Sequence, residues 1–264
     1  MKQRVLLPFF LLAGLILLVG LACGTVTTPT AQPPIQIQPT QPPPVQIQPT
    51  PLPTPTPTDT PIPTPTPYLA ATQMAERTTN VIAQMVKFDL STDTGHLGWY
   101  QTEPVAIRLN GFGNEYEPFA ENVDVSDFAL YTEVTWKTDS WPICGLWFRS
   151  DKTYKQGEQY RFYFLRISGL PAWDIEYWKN DKWITTVTDK IRYSDTLDLD
   201  DGATNKFLLV AEENKFTVYI NGHKEGNYFD WSERLSSGRF AFTANQDSGD
   251  TTCTFANTWL WTYK

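Results

Sequence analysis

Residues 205–229, NKFLLVAEENKFTVYINGHKEGNYF, decide the fold. Asn205 to Glu212 and Lys215 to Ile220 are runs rich in aromatic and branched side chains, and they form a hairpin around Glu213-Asn214. Asn221-Gly222 is a two-residue turn signal, because both positions tolerate the positive φ that a tight hairpin requires. It leads into a third run, His223 to Phe229. The same texture extends outward. Phe128 to Trp136 alternates, with Phe128, Leu130, Thr132, Val134 and Trp136 on one side of the strand. Ile143 to Ser150 and Gln159 to Ser168 follow, and then Trp173 to Lys179 and Lys182 to Thr188, split by the turn Asn180-Asp181. Arg239 to Ala244 and Thr251 to Tyr263 close the series. No long helical periodicity interrupts it. Short strands at this spacing predict an all-β fold, a sandwich or a barrel, over residues 88–264.

That segment holds all ten Trp and both His of the 264-residue chain. Cys144 and Cys253 fall in two of its strands, and in an oxidising compartment they are expected to form a disulfide. Upstream, the composition changes. Tyr68 to Lys87 has no Pro or Gly, and Leu69, Met74, Val81, Ile82, Met85 and Val86 make a helical stripe. A helix this short is marginal alone, so it is expected to pack on the domain that follows. Sixteen of the 21 prolines lie between Pro29 and Pro67. PPIQIQPT over 33–40 returns as PPVQIQPT over 43–50, followed by Thr-Pro alternation. Proline fixes φ and pushes its predecessor to extended angles, so residues 23–67 read as a linker favouring polyproline II. At full extension such a segment spans on the order of 130 Å.

The first residues read as an address. Lys2 and Arg4 precede an uncharged apolar run from Val5 to Ala22, which ends in Val19-Gly-Leu-Ala-Cys23. That ending resembles the bacterial lipobox, apart from Gly20 at the third position before the Cys. The resemblance implies a lipoprotein signal peptide over 1–22, lipidation of Cys23, and anchoring to the membrane through the lipid. The other reading is a retained N-terminal transmembrane anchor, since the run is about as long as a bilayer is thick. Both place the rest of the chain outside the cytoplasm, and the segment is excluded from fold reasoning. The chain has 21 Lys plus Arg and 29 Asp plus Glu, a net charge of −8 with no basic run beyond Lys2 and Arg4. That balance excludes a nucleic-acid partner.

A family resemblance narrows the fold. Asp127-Phe-Ala-Leu-Tyr-Thr-Glu-Val134, Cys144-Gly-Leu-Trp-Phe-Arg149 and Tyr160-Arg-Phe-Tyr-Phe164 occur in that order. Asn205–Glu212, Phe216–Gly222, Gly238-Arg-Phe-Ala-Phe242 and Phe255-Ala-Asn-Thr-Trp259 follow. In order and spacing these resemble the concanavalin A-like, or laminin-G-like, jelly roll. The nearest branch is the bacterial 3-keto-disaccharide hydrolase-type, family-16-glycosidase-like domains. The resemblance implies a two-sheet antiparallel jelly-roll sandwich with a concave face often used on carbohydrate, preceded here by the helix and the linker.

Retaining glycosidases need two carboxyl groups about 5–5.5 Å apart. Glycosidases of this fold carry them as Glu-x-Asp-x-Glu on one strand, where the two-residue period aims all three at one face. The match here is Ala172-Trp-Asp174-Ile-Glu176, with Ala172 at the nucleophile position. Asp174 and Glu176 are thus the only catalytic candidates, and the plainer reading makes them a solvated strand face. Asp198, Asp200, Asp201, Asp247 and Asp250 are hard-oxygen loop residues suited to a structural calcium, or ordinary acidic turns. The ligand-binding candidates are Arg149, Tyr160, Trp173, Trp178 and Trp183: rings for the apolar faces of sugars, polar groups for their hydroxyls. Trp141 and Trp231 also fall in turns or loops, while Trp136, Trp147 and Trp259 read as core. Trp173 and Trp178 are an odd number apart, so a regular strand sends them to opposite faces. The expected function is non-catalytic binding of carbohydrate or another extracellular ligand at the cell surface. The alternatives are a glycoside hydrolase and a protein-binding adhesion or structural module.

Overall fold

The computed structural model describes residues 67–263. The expected signal peptide, the lipid site at Cys23 and the linker up to residue 66 lie outside the described residues. The described part begins with helix α1 (Pro67–Lys87) and continues as strands. They are β1 (His96–Tyr100), β2 (Val105–Asn110), β3 (Gly113–Phe119), β4 (Phe128–Thr138) and β5 (Ile143–Ser150). Next come β6 (Glu158–Ile167), β7 (Leu170–Lys179), β8 (Lys182–Thr186), β9 (Arg192–Tyr193) and β10 (Thr204–Glu212). The last are β11 (Lys215–Ile220), β12 (His223–Phe229), β13 (Arg239–Gln246) and β14 (Asp250–Thr262).

The strands form two antiparallel sheets. The first runs β1-β14-β4-β10-β11-β12 with β2 beside β14; the second runs β3-β13-β5-β6-β7-β8 with β9 beside β7. This is the two-sheet jelly-roll sandwich. Alternation along the strands fills the space between the sheets with aromatics. Phe164 stacks on Phe207 across the interface at 3.7 Å, and Phe242 stacks on Phe255 at 4.5 Å. Full burial of each such ring contributes about 1.5–3 kcal/mol. The Cys144–Cys253 disulfide joins β5 to β14, and so one sheet to the other.

The turns form where the sequence supplies residues that accept positive φ. Asn180 and Asp181 sit at φ 52° and 57°, and Asn221 and Gly222 at 48° and 86°, which are the left-handed pairs that two-residue hairpins need. Three strands, β1, β2 and β3, precede the first one expected. They are short and lie toward the sheet margins, and β3 carries Pro118 and the exposed Glu115 and Glu117. Burial does alternate in β2, with Ile107 and Leu109 buried and Ala106, Arg108 and Asn110 exposed, but over only six residues.

Helix α1 covers the outer face of the first sheet. Val81 and Met85, both fully buried, pack on Ala129, Tyr131, Leu208 and Trp259. Trp259 Nε1 donates to Gln84 Oε1 at 2.9 Å. This explains why β4 is buried on both sides along most of its length. Among the described residues no α-helix packs on the outer face of the second sheet; the short 3-10 turn Tyr154–Gln156 does, with Tyr154 buried against Trp147 and Ala241.

Candidate functional site

The outer face of the second sheet is built from the residues that alternate with its core aromatics. Strand register sets them in rows. One row runs Ala241, Trp147, Arg161, Glu176, Thr186 across β13, β5, β6, β7 and β8. The next runs Thr243, Gly145, Tyr163, Asp174. To one side, Gln159, Trp178 and Trp183 are register partners; to the other, Leu165 faces Ala172.

Arg161 organises this face. Its side chain is fully buried, with the guanidinium carbon 4.3 Å from the Trp147 ring centroid and 3.9 Å from that of Trp178. The cation is thus clamped between two indole faces. It donates to Tyr163 Oη and to Asp181 Oδ1, each at 3.1 Å. With the Gln159 amide oxygen turned toward the guanidinium, that oxygen accepts from Arg161 Nε at 3.1 Å and Nη2 at 2.6 Å. The amide nitrogen then donates to Tyr154 O at 2.8 Å. Asp181, in the β7–β8 turn, also pairs with Lys155 at 3.4 Å. Gly145 gives Tyr163 its space, since a Cβ there would lie 2.7 Å from Tyr163 Cδ1 and 2.7 Å from Phe162 O.

Asp174 and Glu176 lie on this face beside Tyr163 and Arg161, and the solvated-face reading is corrected. Asp174 is only 3 % exposed, and its Oδ1 has no hydrogen-bond partner. Burial pushes its carboxyl up to about 8, reinforced by the charge of Glu176 and a hydrogen bond with it. Burial also raises the Glu176 carboxyl, opposed by the Trp178 indole, whose Nε1 donates to Oε2 at 2.7 Å, and by Arg161. At neutral pH the two carboxyls therefore hold a proton between them. Trp147 Nε1 and Tyr154 Oη are also buried without partners, beneath Tyr116, which stacks on Trp147 at 4.6 Å. Trp183 is 55 % exposed, next to the half-buried Trp178.

The structure brings together Asp174, Glu176, Trp178 and Trp183. It corrects the other three ligand candidates, which are buried elsewhere because their side chains turn inward. Tyr160 lies in the inter-sheet core and donates its hydroxyl to Asp230. Trp173, also in that core, faces away from Trp178 as their odd spacing requires. Arg149 closes one end of the sandwich, donating to Ser126 O through Nε (3.1 Å) and Nη2 (2.6 Å) and to Leu235 O at 3.1 Å. Burial lowers its pKa. The acidic loop residues shape turns: Asp198 Oδ1 accepts from Asp200 N at 3.0 Å, and Asp201 Oδ1 from Thr138 N at 2.6 Å. Among the described residues no three His, Cys, Asp or Glu come together as a metal would require. Sequence reasoning missed Arg161, Trp147 and Tyr163. The signal was present in Tyr160–Phe164, where Arg161 and Tyr163 alternate with core aromatics.

No protein-family model matches the chain, and no curated protein does. Solved structures share its outline. The carbohydrate-binding module CBM66 from Bacillus subtilis is 18 % identical with a TM-score of 0.47, over 59 % of this chain and 86 % of that one. A Bacillus licheniformis beta-glucanase is 10 % identical with a TM-score of 0.41, over 62 % and 82 %. Sheep galectin-11, in complex with glycerol, is 13 % identical with a TM-score of 0.36, over 54 % and 98 %.

Proposed function

We propose that the outer face of the second sheet binds carbohydrate without cleaving it. The observation that carries this reading is the Trp178–Trp183 pair, presented next to a polar layer clamped by Arg161. Sugar rings have apolar C–H faces that stack on indole, and hydroxyls that pair with carboxyl, amide and hydroxyl groups. Beside the pair, the part-exposed Glu176 and Thr186 supply the polar groups, held in place by the buried layer beneath them. In this reading the domain is displayed outside the cytoplasm, held by lipid on Cys23 through the Pro/Thr linker. The disulfide supports that compartment.

The test is incubation of the purified chain with soluble and insoluble polysaccharides, recording depletion of protein from solution and release of reducing sugar. Depletion without release is the expected result. A glycosidase is the second reading, favoured by one observation: Asp174 keeps its proton near neutral pH beside a second carboxyl, the protonation state of an acid–base pair. Release of reducing sugar that is lost in Asp174→Asn and Glu176→Gln would establish that reading instead. Neither depletion nor release would return weight to a protein partner.

A further inference from the structure

Helix α1 does not fill the outer face of the first sheet. Toward β10, β11 and β12 the structure leaves a cavity of about 710 Å³. The segment that follows the helix walls it with Asp89, Ser91 and Thr94, and β10 and β11 floor it through Val210, Thr217 and Tyr219. Register explains the floor. Phe216, Val218 and Ile220 point into the inter-sheet core, so Lys215, Thr217 and Tyr219 point the other way. The wall is held in place by Phe88, edge-on to Tyr219 at 5.3 Å, and by Tyr263 Oη, which donates to Ser91 O at 3.4 Å. Asp127, Val210 and Thr217 are buried, and every other lining residue is at least partly exposed, so the cavity opens to solvent.

Strand β12 supplies an aromatic rim. Phe229 is the register partner of Lys215, lines the cavity and is 37 % exposed. Just past the strand end, Trp231 stacks on Phe229 with centroids 5.0 Å apart and planes 15° apart. Trp231 is 80 % exposed, the most exposed of the ten Trp. Neither ring belongs to the inter-sheet core or to the cluster under α1. The stack covers one indole face and leaves the other in water. A bulge brings a cation to the same place. Val218 pairs with Gly226 but Tyr219 pairs with Lys224, so Lys224 turns to the face of Tyr219. Its Nζ lies 6.0 Å from the Tyr219 ring centroid, in the cavity lining.

The lining selects a class of ligand. Ser91, Thr94 and Asn214 offer hydroxyl and amide groups, and charges of both signs stand beside them, Asp89 and Glu212 against Lys215 and Lys224. An apolar ligand would strip water from these groups and return no hydrogen bonds. A saccharide both donates and accepts, and its C–H face fits an open indole. A recess with an aromatic rim and polar walls also differs from the flat apolar patch that a protein partner takes.

We infer that the cavity beside the Phe229–Trp231 stack is a second saccharide site, on the opposite side of the sandwich from Trp178 and Trp183. The site stands on its own residues; that the domain holds two glycan chains at once rests on the reading of the Trp178–Trp183 face.

The test is native affinity electrophoresis of the full chain through gels containing barley β-glucan, arabinoxylan, galactomannan, amylose or polygalacturonate. In at least one gel, Trp231→Ala should weaken the apparent affinity about tenfold and Lys224→Ala about threefold or more. Trp183→Ala should leave part of the retardation in place, and Trp183→Ala with Trp231→Ala should remove it. The side chains of Trp183, Lys224 and Trp231 are exposed, so the urea midpoints of these variants should match that of the wild type. If Trp231→Ala migrates as the wild type in every gel, the second site falls and the reading of the Trp178–Trp183 face stands. Loss with Trp231→Ala but not with Lys224→Ala overturns the cavity as the seat of the ligand. If Trp231→Ala abolishes retardation and Trp183→Ala changes nothing, the new site stands and the reading of the other face falls. If no glycan retards the wild-type chain, both fall.

Discussion

Asp174 shows how one position couples register to titration. Its carboxyl is buried on the second sheet's outer face and pushed up to about 8, whereas in an unfolded chain it titrates near the ordinary carboxylate value of about 3.9. The ionised form is the one the fold disfavours. Its neutral form costs nothing below the unfolded value, so this position weighs on stability only as pH rises, increasingly from about 4 to about 8, and the loss is complete above that. Asp174→Asn is close to isosteric and cannot ionise. It should stabilise the chain by on the order of 2 kcal/mol at pH 8 and by little at pH 4. Urea denaturation at the two pH values checks this; equal effects at both would mean that Asp174 is not buried neutral. Asp174, Glu176, Trp178 and Trp183 were legible as candidates because they stand close together in sequence. Arg161, Trp147 and Asp181 were not. They reach the same cluster only through the pairing of β5 with β6 and the return of the β7–β8 turn, and a single sequence does not state register. Arg149 and Tyr160 misled for the converse reason: a polar residue in a strand was read as available, when backbone carbonyls and Asp230 already occupied it.

Elements were more legible than sites, because their signals are local. The Asn180-Asp181 and Asn221-Gly222 turns declared themselves through residue types that accept positive φ. Helix α1 was visible in a stretch free of Pro and Gly, but of its expected stripe only Val81, Ile82 and Met85 face the sheet, while Leu69, Met74 and Val86 are exposed. The early strands β1–β3 were missed although β2 carries a two-residue period, with Ile107 and Leu109 buried between the exposed Ala106, Arg108 and Asn110; the three are only five, six and seven residues long. Met85, fully buried under the helix, tests whether α1 belongs to the cooperative unit. Met85→Ala should cost about 2–3 kcal/mol of global stability. A variant that melts α1 while leaving the sandwich midpoint unmoved would make the helix an independent appendage. The disulfide closes 109 residues of chain, so in the loop-entropy view Cys144→Ser with Cys253→Ser should cost about 4 kcal/mol. The denaturation midpoint of the double variant, compared with that of the disulfide-bonded wild type, measures it, and the reduced wild type should fall with the variant.

Across the molecule, the two sheets have different fates. The first sheet's outer face is packed by α1, while the second sheet's is closed over by its own large side chains and is exposed at its β8 edge, where Trp183 and Ile184 stand in solvent, so the candidate site lies on the side opposite the helix. The sandwich itself could be read from the sequence because inter-sheet packing writes a repeating pattern into every central strand. The Cys144–Cys253 bond has a mechanical consequence. A load entering through α1 and leaving through a ligand on β7 and β8 would tend to slide one sheet over the other. That covalent rung ties the strand next to β6 to the long strand beside β1, so the sheets cannot shear apart before a bond breaks. Under reducing conditions the pulling force that unfolds the domain should fall, and the length of chain released in a single event should grow by that of the fenced segment.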